Sequence, residues 1–367
     1  MIHHLLPASP YSRRFLELLA AHPREFPPEE HRFWLEAPRD PTFRVADAGG
    51  LRCERVGPWG FVRAFRALGP GDRVVIHQLS DPRLLLYLAC FRGARRRCIW
   101  SIWGGDVYYD RFRPRTWAHS LRERLRRRVI PGIPLVSSMI PGDFETVRSV
   151  YGSRARYVRA FYPIPMDTGR LTPRAVPDPS STGARSGRPV TLLVGNSGDP
   201  SNAHAEVFRA LARFRGERLR VVAPLSYGDP AYVAAVVEDG RRCFGDSFVP
   251  LTDFLPPEQY ARWLEDTDAA VMNHGFQQAL GSIIALLLLG KKVFVRSDTT
   301  PYRYFHDLGV TVHDTLRLPA LSLAELVESG PGTGLRNAAA VRAHLSEENA
   351  VAGWRTLFEA ARGPAGE

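Results

Sequence analysis

Hydrophobic and polar positions alternate along this chain as strand-like and helix-like segments. Residues 73–79 (RVVIHQL) form an apolar run typical of a buried strand. Residues 81–91 follow with helical spacing, with Asp81 as N-cap and Pro82 at the first position. The same alternation predicts a strand at 98–103, a helix at 115–129, a strand at 133–137 and a helix at 143–151. The first half is therefore predicted to form βαβ units.

A segment of linker composition separates this half from a second series of strands and helices. Residues 166–189 are rich in Pro, Gly, Ser and Thr and contain few apolar side chains. Beyond them the pattern predicts strands at 190–194, 219–223, 247–251, 269–273 and 292–295, with helices at 230–243, 257–266 and 277–289. Because strands that alternate with helices form parallel sheets, we expect an α/β fold of two Rossmann-like, doubly wound domains that face a cleft. The domains are predicted at 1–165 and 190–367, and the last helix could pack back on the first domain.

The composition agrees with two globular domains and excludes several classes of protein. The 367 residues are 44% apolar, which is enough to bury two cores. The four cysteines form no CxxC pair, which argues against a zinc ribbon or a disulfide-rich secreted scaffold. The first residues show no signal-peptide pattern, and the longest apolar runs fall far short of the roughly 20 residues that span a bilayer. We therefore expect no export, and any contact with a membrane to be peripheral.

The net charge of +11 is placed unevenly along the chain. Residues 1–190 carry +15 and residues 191–367 carry −4, and residues 91–130 alone hold twelve arginines against three acids. Because 47 of the 49 cationic residues are arginine, the choice of arginine over lysine says little. The asymmetry between the halves is more informative and favours an anionic partner for the first half.

Two polar, glycine-containing junctions between strand and helix are the candidate chemical sites of the second half. At 194–204 (VGNSGDPSNAH) two glycines allow a ligand to approach the backbone. Short polar side chains beside a helix start suit a phosphate or diphosphate, and the alternative is a tight turn with Asp199 or Ser201 as helix cap. The junction at 273–282 (NHGFQQALGS) follows another strand, at the edge where open α/β sheets bind ligands. Its two glutamines could instead be solvated residues of a first helical turn.

Further positions carry similar alternatives. Tyr227 could be a platform for a nucleobase or could only support its loop. Asp106, in the string IWGGDVYY, could be a general base or could orient its loop, and the strand-end His77 has the same two possibilities. The pair Asp266 and Asp268 matches a metal-binding DxD superficially, but it lies where a helix enters a strand, so we predict no metal site.

Taken in order, these motifs resemble those of one bacterial family. The chain resembles the dTDP-N-acetylfucosamine:lipid-linked oligosaccharide transferases, which transfer 4-acetamido-4,6-dideoxygalactose in enterobacterial common antigen synthesis. The strings that carry the resemblance are IWGGDVYY, LLVGNSGDPSNAH, VVAPLSYG, LTDFLPPEQYARWLEDTDAAV and FQQALGSIIALLLLGKKV. The resemblance runs from about residue 73 to about residue 305. It is most specific at LLVGNSGDPSN.

What the resemblance implies is a metal-independent hexosyltransferase of the GT-B type that needs no cofactor. The donor would be a dTDP-sugar carrying N-acetylfucosamine, and the acceptor a polyprenyl-diphosphate-linked saccharide. The residues that match the donor diphosphate and nucleotide loops are Gly195, Asn196, Ser197, Gly198, Ser201, Asn202, Tyr227, Gln277, Gln278, Gly281 and Ser282. Asp106 matches an acid of the first-domain motif and His77 a strand-end histidine, and we expect the general base at Asp106 before His77. One departure is Phe276, where the family usually has an arginine; Arg296 or Lys291 could replace that cation.

The resemblance also implies a peripheral location on the cytoplasmic face of the bacterial inner membrane. A basic helix with Trp117, Leu121, Leu125 and Val129 at helical spacing would lie on an anionic membrane surface. The expected contacts to membrane or acceptor are Arg122, Arg126 and Arg127. The alternative is a solvated basic helix whose apolar stripe packs on its own sheet.

Three other functions fit the residues less completely. A transferase of the same fold could use another nucleotide-sugar donor or another acceptor. A sugar-nucleotide epimerase of this fold would act with no acceptor present. Nucleic-acid binding is suggested only by the basic charge, and because no RRM, KH or helix-turn-helix pattern supports it, we expect no nucleic-acid partner.

Overall fold

A computed structural model describes residues 1–36, 51–108, 116–173 and 188–362 of the chain. The chain forms two compact units, one of Met1–Pro165 with Leu345–Glu367 and the other of Met166–His344. Most of the linker predicted at 166–189 lies outside the described residues, since 174–187 are not among them. The first part of the predicted basic helix and the arginines that precede it, at 109–115, also lie outside them.

A parallel seven-stranded sheet forms the centre of the first unit. Its strands are β1 (Ile2–Leu6), β2 (His31–Glu36), β3 (Arg52–Val56), β4 (Arg73–His77), β5 (Cys98–Ser101), β6 (Leu135–Ser138) and β7 (Arg156–Arg159). Their order in the sheet is β3-β2-β1-β4-β5-β6-β7. The helices are α1 (Pro10–Ala21), α2 (Gly60–Arg66), α3 (Pro82–Cys90), α4 (Arg92–Arg95), α5 (Gly105–Tyr108), α6 (Trp117–Val129) and α7 (Pro141–Tyr151), and the last helix, α15 (Glu347–Arg362), completes the unit.

One inner strand of this sheet, β1, is a strand that the hydrophobic pattern did not reveal. β1 (IHHLL) is buried along its whole length and pairs with β2 on one side and β4 on the other. Its two histidines interrupt the apolar run by which a doubly covered parallel strand is normally found. Aromatic side chains of α1 and α15, including Phe15 and Trp354, pack in the same core.

The second unit is built on a parallel six-stranded sheet. Its strands are β8 (Val190–Val194), β9 (Leu219–Pro224), β10 (Phe248–Leu251), β11 (Ala269–Met272), β12 (Lys292–Val295) and β13 (His313–Asp314), in the order β10-β9-β8-β11-β12-β13. The helices are α8 (His204–Leu211), α9 (Pro230–Phe244), α10 (Pro257–Asp266), α11 (Leu280–Leu288), α12 (Thr300–Asp307), α13 (Leu323–Val327) and α14 (Thr333–His344). Apolar residues of β8, β9, β11 and α8 fill its core.

Each sheet has a point where the chain reverses its direction of winding. In the second unit the chain runs from β8 outward to β10 and then returns to place β11 on the other side of β8. In the first unit the equivalent reversal lies between β1 and β4. The loops at the carboxyl ends of strands at such a switch point diverge and leave a crevice, where open α/β folds bind ligands.

Candidate active site

The two polar junctions of the second unit meet at the switch point between β8 and β11. The hydroxyl of Ser201 is hydrogen-bonded to the Asp199 carboxylate and lies 2.8 Å from the side-chain amide of Gln278. His274 Nε2 lies 2.8 Å from Oδ1 of Asn196 and 2.9 Å from Oδ1 of Asn202. Both partners are carbonyl oxygens, so Nε2 carries the hydrogen and donates to them. The two predicted donor loops therefore form one hydrogen-bonded site.

Asn202 organises the first of these loops. Its side chain is fully buried, its Oδ1 accepts the Asn196 N–H at 2.9 Å, and its Nδ2 donates to Ser197 Oγ at 3.2 Å and to the Asp199 carbonyl at 3.1 Å. Gly195 has φ +69°, and a Cβ there would lie 2.7 Å from Asn202 Oδ1. Glycine is therefore required both by the backbone conformation and by the space.

A third loop, after β9, closes on the first. Gly198 and Gly228 form an isolated parallel bridge, and a Cβ on Gly228 would lie 2.3 Å from the backbone of Gly198. Asn196 Nδ2 donates to the hydroxyl of Tyr227 at 2.8 Å, while the Tyr227 side chain is 57% exposed. The hydroxyl is anchored and the ring remains accessible, which is compatible with both alternatives for Tyr227.

Neither helix that starts at these loops is capped by the side chain of its N-cap residue, although the first N–H of α8 donates to the Tyr232 hydroxyl at 3.2 Å. α8 begins after Ala203 (φ +48°) and α11 after Ala279 (φ +55°), each alanine in the left-handed region. Asp199 instead caps the short 3₁₀ turn at Pro200–Asn202, through the N–H of Ser201. The N–H groups and the dipole at the start of α11 are therefore not neutralised by a side chain, the condition under which a helix start binds an anion.

Helix α11 starts later than the pattern predicted, at Leu280 instead of residue 277. Gln277 and Gln278 therefore lie in the loop and are not solvated residues of a first turn. Gln277 is buried, and its Oε1 has no hydrogen-bond partner among the described residues. Of the two first-turn residues predicted at the site, Ser282 shares a hydrogen bond with Tyr260 of α10 at 3.0 Å, so its hydroxyl is already engaged.

The proposed replacements for the missing cation differ in position. Arg296 follows β12 at the carboxyl edge of the sheet, but it pairs with Glu206 at 3.1 Å and with Asp298 at 3.0 Å. The hydrogen bonds to Asp298 raise the pKa of Arg296. Lys291 precedes β12, and its Nζ donates to the Glu265 carbonyl at 2.6 Å. Lys291 lies at the opposite edge, so the expectation that it could serve the donor site is wrong.

The position of Asp106 favours one of its two alternatives. Its carboxylate is fully buried and accepts hydrogen bonds from Leu79 N–H at 3.0 Å, Trp100 Nε1 at 2.7 Å and Trp103 N–H at 3.0 Å. Burial raises the pKa of Asp106, while these hydrogen bonds lower it. Because these contacts tie Asp106 to the loop after β4, to β5 and to its own loop, and the residue is fully buried, the structure supports the loop-orienting role and not the general base.

His77 belongs to a buried chain of imidazoles. Its Nε2 is 3.1 Å from His4 Nδ1, and His4 Nε2 is 3.0 Å from His31 Nδ1. Its Nδ1 is hydrogen-bonded to the hydroxyl of Tyr162, which also lies 2.9 Å from Ser101 Oγ. Burial lowers the pKa of His77 to about 3 and that of His31 to about 4. Both ring nitrogens of His77 are used inside the protein, which favours its structural alternative.

A cleft opens beside these residues at the switch point of the first unit. It has a volume of about 520 Å³ and is lined by carboxyl ends of β1 to β4, the start of α3 and Arg122 of α6. Gln78, which follows β4 and lines the cleft, has φ +79°, a strained conformation for a residue with a side chain. Asp81 at the cleft caps α3 by accepting the Arg83 N–H, as predicted. The cleft has the position and size of a ligand site.

The basic helix combines the two alternatives that its sequence left open. Trp117 is 81% exposed and Leu121 is 49% exposed, whereas Val129 at the other end of the stripe is fully buried. Arg126 is also buried, donates to the Tyr151 hydroxyl at 3.1 Å and lies near Glu123, so its predicted contact with membrane or acceptor is wrong. The more exposed Arg127 pairs with Glu123 at 3.1 Å.

The described residues contain neither a metal-site candidate nor a membrane-spanning helix. Among the described residues, no group of three or more His, Cys, Asp or Glu side chains is placed to hold a metal ion. Asp268 of the DxD-like pair accepts the Thr191 N–H at 2.9 Å and pairs with Arg188, so it ties a strand start to its neighbour. No helix in the described part of the chain is long and apolar enough to cross a membrane.

Comparison with known families decides the class of enzyme. Residues 64–312 match the family described as 4-alpha-L-fucosyltransferase, glycosyl transferase group 56. The chain belongs to this family. It is therefore a glycosyltransferase, and the resemblance to sugar transferases of this kind is confirmed.

Solved structures confirm the fold. An Escherichia coli trehalose-6-phosphate enzyme bound with UDP-2-fluoro glucose aligns with a TM-score of 0.64 at 10% identity, over 99% of each chain. The α,α-trehalose 6-phosphate synthase of Burkholderia multivorans aligns with a TM-score of 0.61 at 14% identity, over 99% of this chain and 98% of that one. The N-terminal domain of a Candida albicans trehalose-6-phosphate phosphatase aligns with a TM-score of 0.68 at 11% identity, over 98% of this chain and 96% of that one. This family member has the GT-B fold of two Rossmann-like domains.

Proposed function

We propose that this family member transfers N-acetylfucosamine (4-acetamido-4,6-dideoxygalactose) from a dTDP-sugar to a polyprenyl-diphosphate-linked saccharide, without a metal ion. The observation that carries the proposal is the joining of the two loops at β8 and β11 through Ser201, Gln278, Asn202 and His274. The UDP-sugar named for the Escherichia coli structure supports a nucleotide sugar as the donor class for this fold.

The donor diphosphate lies across the starts of α8 and α11 in this proposal. The charge that develops on the leaving dTDP is stabilised by backbone N–H groups and by the dipole of α11, where other enzymes use a metal ion. The unpartnered Oε1 of Gln277 accepts a hydrogen bond from a donor hydroxyl or base N–H. The accessible ring of Tyr227 stacks on the base.

The acceptor saccharide occupies the cleft of the first unit in this proposal. Asp106 acts there as a positioning residue, because its three hydrogen bonds hold the loops that follow β4 and β5. Arg122, which lines the cleft, provides a cation for the lipid-linked diphosphate. Peripheral binding at the cytoplasmic face of the inner membrane uses the exposed Trp117 and Leu121 of α6, with anionic lipid attracted by the basic first unit.

Product analysis tests this function directly. The protein is incubated with EDTA, a polyprenyl-diphosphate disaccharide and, in turn, dTDP-, UDP- and GDP-sugars, and the lipid products are weighed by mass spectrometry. We expect an added 4-acetamido-4,6-dideoxyhexose with the dTDP donor only. Transfer of another sugar assigns the chain another donor, and conversion of the nucleotide sugar without acceptor makes it an epimerase.

A variant links the activity to the joined loops. Ser201→Ala removes the hydroxyl that links Gln278 to Asp199, and we expect kcat/KM for the donor to fall about tenfold or more, because the two loops lose this hydrogen bond. Ser149→Ala is the matched control, because within the described part of the chain the Ser149 hydroxyl donates to the Thr146 carbonyl of its own helix and to no other group. Equal activity of the two variants would contradict the placement of the donor.

A further inference from the structure

A second cavity of the first unit is lined mainly by arginine. It has a volume of about 480 Å³, and its cations are Arg92, Arg95, Arg96, Arg128 and Arg154. The remaining lining residues are Pro131, Gly132, Ile133 and Pro134. The loop 131–134 leads into β6, and Arg96 and Arg154 precede β5 and β7, so the cavity lies at the amino-terminal edge of the sheet. The cleft assigned to the acceptor lies at the carboxyl-terminal edge.

The positive charge of this cavity is not balanced by protein acids. Its lining contains no Asp or Glu, and the described contacts pair none of the five guanidinium groups with a carboxylate. Some other arginines in the described part of this unit pair with acids, as Arg83 does with Asp81 and Arg127 with Glu123. Five like charges around one concave space repel each other, and the structure leaves that repulsion uncompensated.

Arg95 shows that the cluster is built into the fold. Its side chain is only 7% exposed, and its Nη1 donates to the carbonyl of Arg128. The pKa of Arg95 is lowered by burial and by the charges of Arg128, Arg92 and Arg96. Arg128 is itself fixed by a hydrogen bond of 3.2 Å from its Nε to the Ala89 carbonyl. Backbone carbonyls at the ends of α3 and α6 thus hold two guanidinium groups in place.

The chemistry of such a site selects a phosphate-bearing anion. Guanidinium groups donate pairs of parallel hydrogen bonds that match phosphate oxygens, and they stay charged at any physiological pH. The volume exceeds that of one phosphate and lies in the range of small-molecule sites. A diphosphate, or a phosphate attached to a larger group, would therefore fit the five cations.

We propose that this arginine cavity is an anion-binding site for a phosphate or diphosphate group, separate from the donor and acceptor sites. Two sources could supply the group, a soluble phosphate compound or the headgroup of an anionic lipid. The proposal rests on the cavity and does not depend on the identity of the transferred sugar.

The first arm of the test uses inorganic pyrophosphate. The full chain is titrated by calorimetry at low salt with saturating dTDP present, so that a diphosphate site in the second unit is filled. The variant Arg92→Gln/Arg96→Gln/Arg154→Gln removes three exposed cations, and we expect pyrophosphate to bind it about tenfold or more weakly, because charged hydrogen bonds are lost. The control is a variant of the same net charge, with the exposed arginines outside the cavity replaced: Arg24→Gln/Arg55→Gln/Arg66→Gln.

The second arm distinguishes the source. Co-sedimentation is measured with vesicles of phosphatidylcholine alone and with about 30% phosphatidylglycerol. Loss of binding to the anionic vesicles in the cavity variant, but not in the control, assigns a lipid headgroup. Loss of pyrophosphate binding alone assigns a soluble ligand. The proposal is overturned if the cavity variant, folded by circular dichroism, binds both probes as tightly as the control does, whether or not dTDP binds.

Discussion

At the scale of single residues, the donor loop depends on Asn202 and the first-unit loops depend on Asp106. Each side chain is fully buried and makes at least three hydrogen bonds. Those of Asn202 lie within its own loop and reach His274 of the next one. Those of Asp106 reach Leu79 after β4, Trp100 of β5 and Trp103. Buried polar groups of this kind are costly to leave unpaired, so their removal affects the loops on both sides. Both residues are therefore expected to fix geometry before any substrate binds.

Replacement of Asn202 tests the first of these roles. Asn202→Ala leaves the Asn196 N–H and His274 Nε2 without one of their acceptors, and we expect the free energy of unfolding to fall by about 1–3 kcal/mol. The affinity for dTDP should fall as well, because the N–H groups of the loop lose their alignment. Urea unfolding and calorimetry measure the two effects. Unchanged affinity in a folded variant would show that Asn202 serves stability only.

Replacement of Asp106 separates positioning from proton transfer. Asp106→Asn turns an amide nitrogen toward N–H donors, so the free energy of unfolding is expected to fall by about 1–3 kcal/mol. Asp81→Asn is the matched control, since asparagine caps a helix as well as aspartate does. It also weakens the partly exposed ion pair with Arg83, so its free energy of unfolding should fall by less than about 1 kcal/mol. If Asp106→Asn keeps full stability but loses turnover at every pH, the carboxylate acts in catalysis and our assignment is contradicted.

At the scale of elements, the strained starts of α8 and α11 shape the donor site. Ala203 and Ala279 adopt left-handed conformations that favour glycine. At α11 the turn places backbone N–H groups at the switch point without a capping side chain. At α8 the first N–H, that of His204, donates to the Tyr232 hydroxyl at 3.2 Å. We infer that the strain at Ala279 is tolerated because it keeps the start of α11 open to an anion.

Glycine substitution measures this strain. Ala203→Gly and Ala279→Gly are each expected to raise the free energy of unfolding by about 0.5–1 kcal/mol, because relief of the left-handed strain exceeds the entropy that glycine adds to the unfolded chain. The exposed Ala235 in the middle of α9 provides the control, since Ala235→Gly should lower the free energy of unfolding by about 1 kcal/mol. A loss of stability in all three variants would show that the two helix starts are not strained.

Sequence patterns predicted the elements that follow regular rules. The strands from β4 to β6 and from β8 to β12 lie within about two residues of the predicted ranges, and α10 coincides with its range. β1 was missed because His3 and His4 are buried in a strand whose neighbours supply their hydrogen-bond partners, a fact that only the tertiary structure provides. The pattern predicts the start of α11 too early, because the left-handed turn at Ala279 contains no glycine that would indicate a turn there.

Part of the candidate site could be predicted from the sequence, because a general rule for α/β sheets locates its two loops. Loops 194–204 and 273–282 follow adjacent strands, and the rule that ligands bind at the carboxyl edge located both of them. His274 was not singled out, although it links the loops, because a lone histidine in a loop gives no sign of its partners. Arg126 was assigned to the surface by its charge, and only the contact with Tyr151 shows that it is buried. Side-chain direction was the information that the pattern lacked.

At the scale of the whole molecule, buried histidines set how the fold responds to acid. Burial lowers the pKa of His77 and His274 to about 3 and of His31 and His204 to about 4. These rings are neutral in the folded state, whereas an unfolded histidine takes up a proton near its ordinary value of about 6.5. The unfolded state therefore binds more protons below pH 6.5, and the stability that these groups contribute is lost as the pH falls from about 6.5 toward 4 and 3.

This linkage predicts a steep acid dependence. Between about pH 6 and pH 4, each such histidine contributes a slope of up to about 1.4 kcal/mol per pH unit to the free energy of unfolding. His31→Gln removes one of these groups, so its slope, from urea unfolding at several pH values, should be smaller than that of the parent. His306→Gln, at a position that is 81% exposed, serves as the control. Equal slopes in the parent and the His31 variant would contradict the assignment of a neutral buried ring.

The two units together account for the division of charge along the chain. The basic first unit carries the proposed acceptor cleft and the arginine cavity. The second unit, Met166–His344, has 19 arginine and lysine residues against 19 acids and so carries no net charge. It offers an anionic donor helix starts and amide groups. Binding of a diphosphate by a unit without net charge depends on local dipoles and hydrogen-bond donors.

Calorimetric titration of dTDP in the presence of EDTA is the most direct test of the central claim. We expect the parent protein to bind dTDP with no divalent cation present, and Ser201→Ala/Gln278→Ala to bind it about tenfold or more weakly while Ser149→Ala binds it normally. Binding that requires a divalent cation, or that is unchanged in the double variant, would contradict a donor site built from the two joined loops.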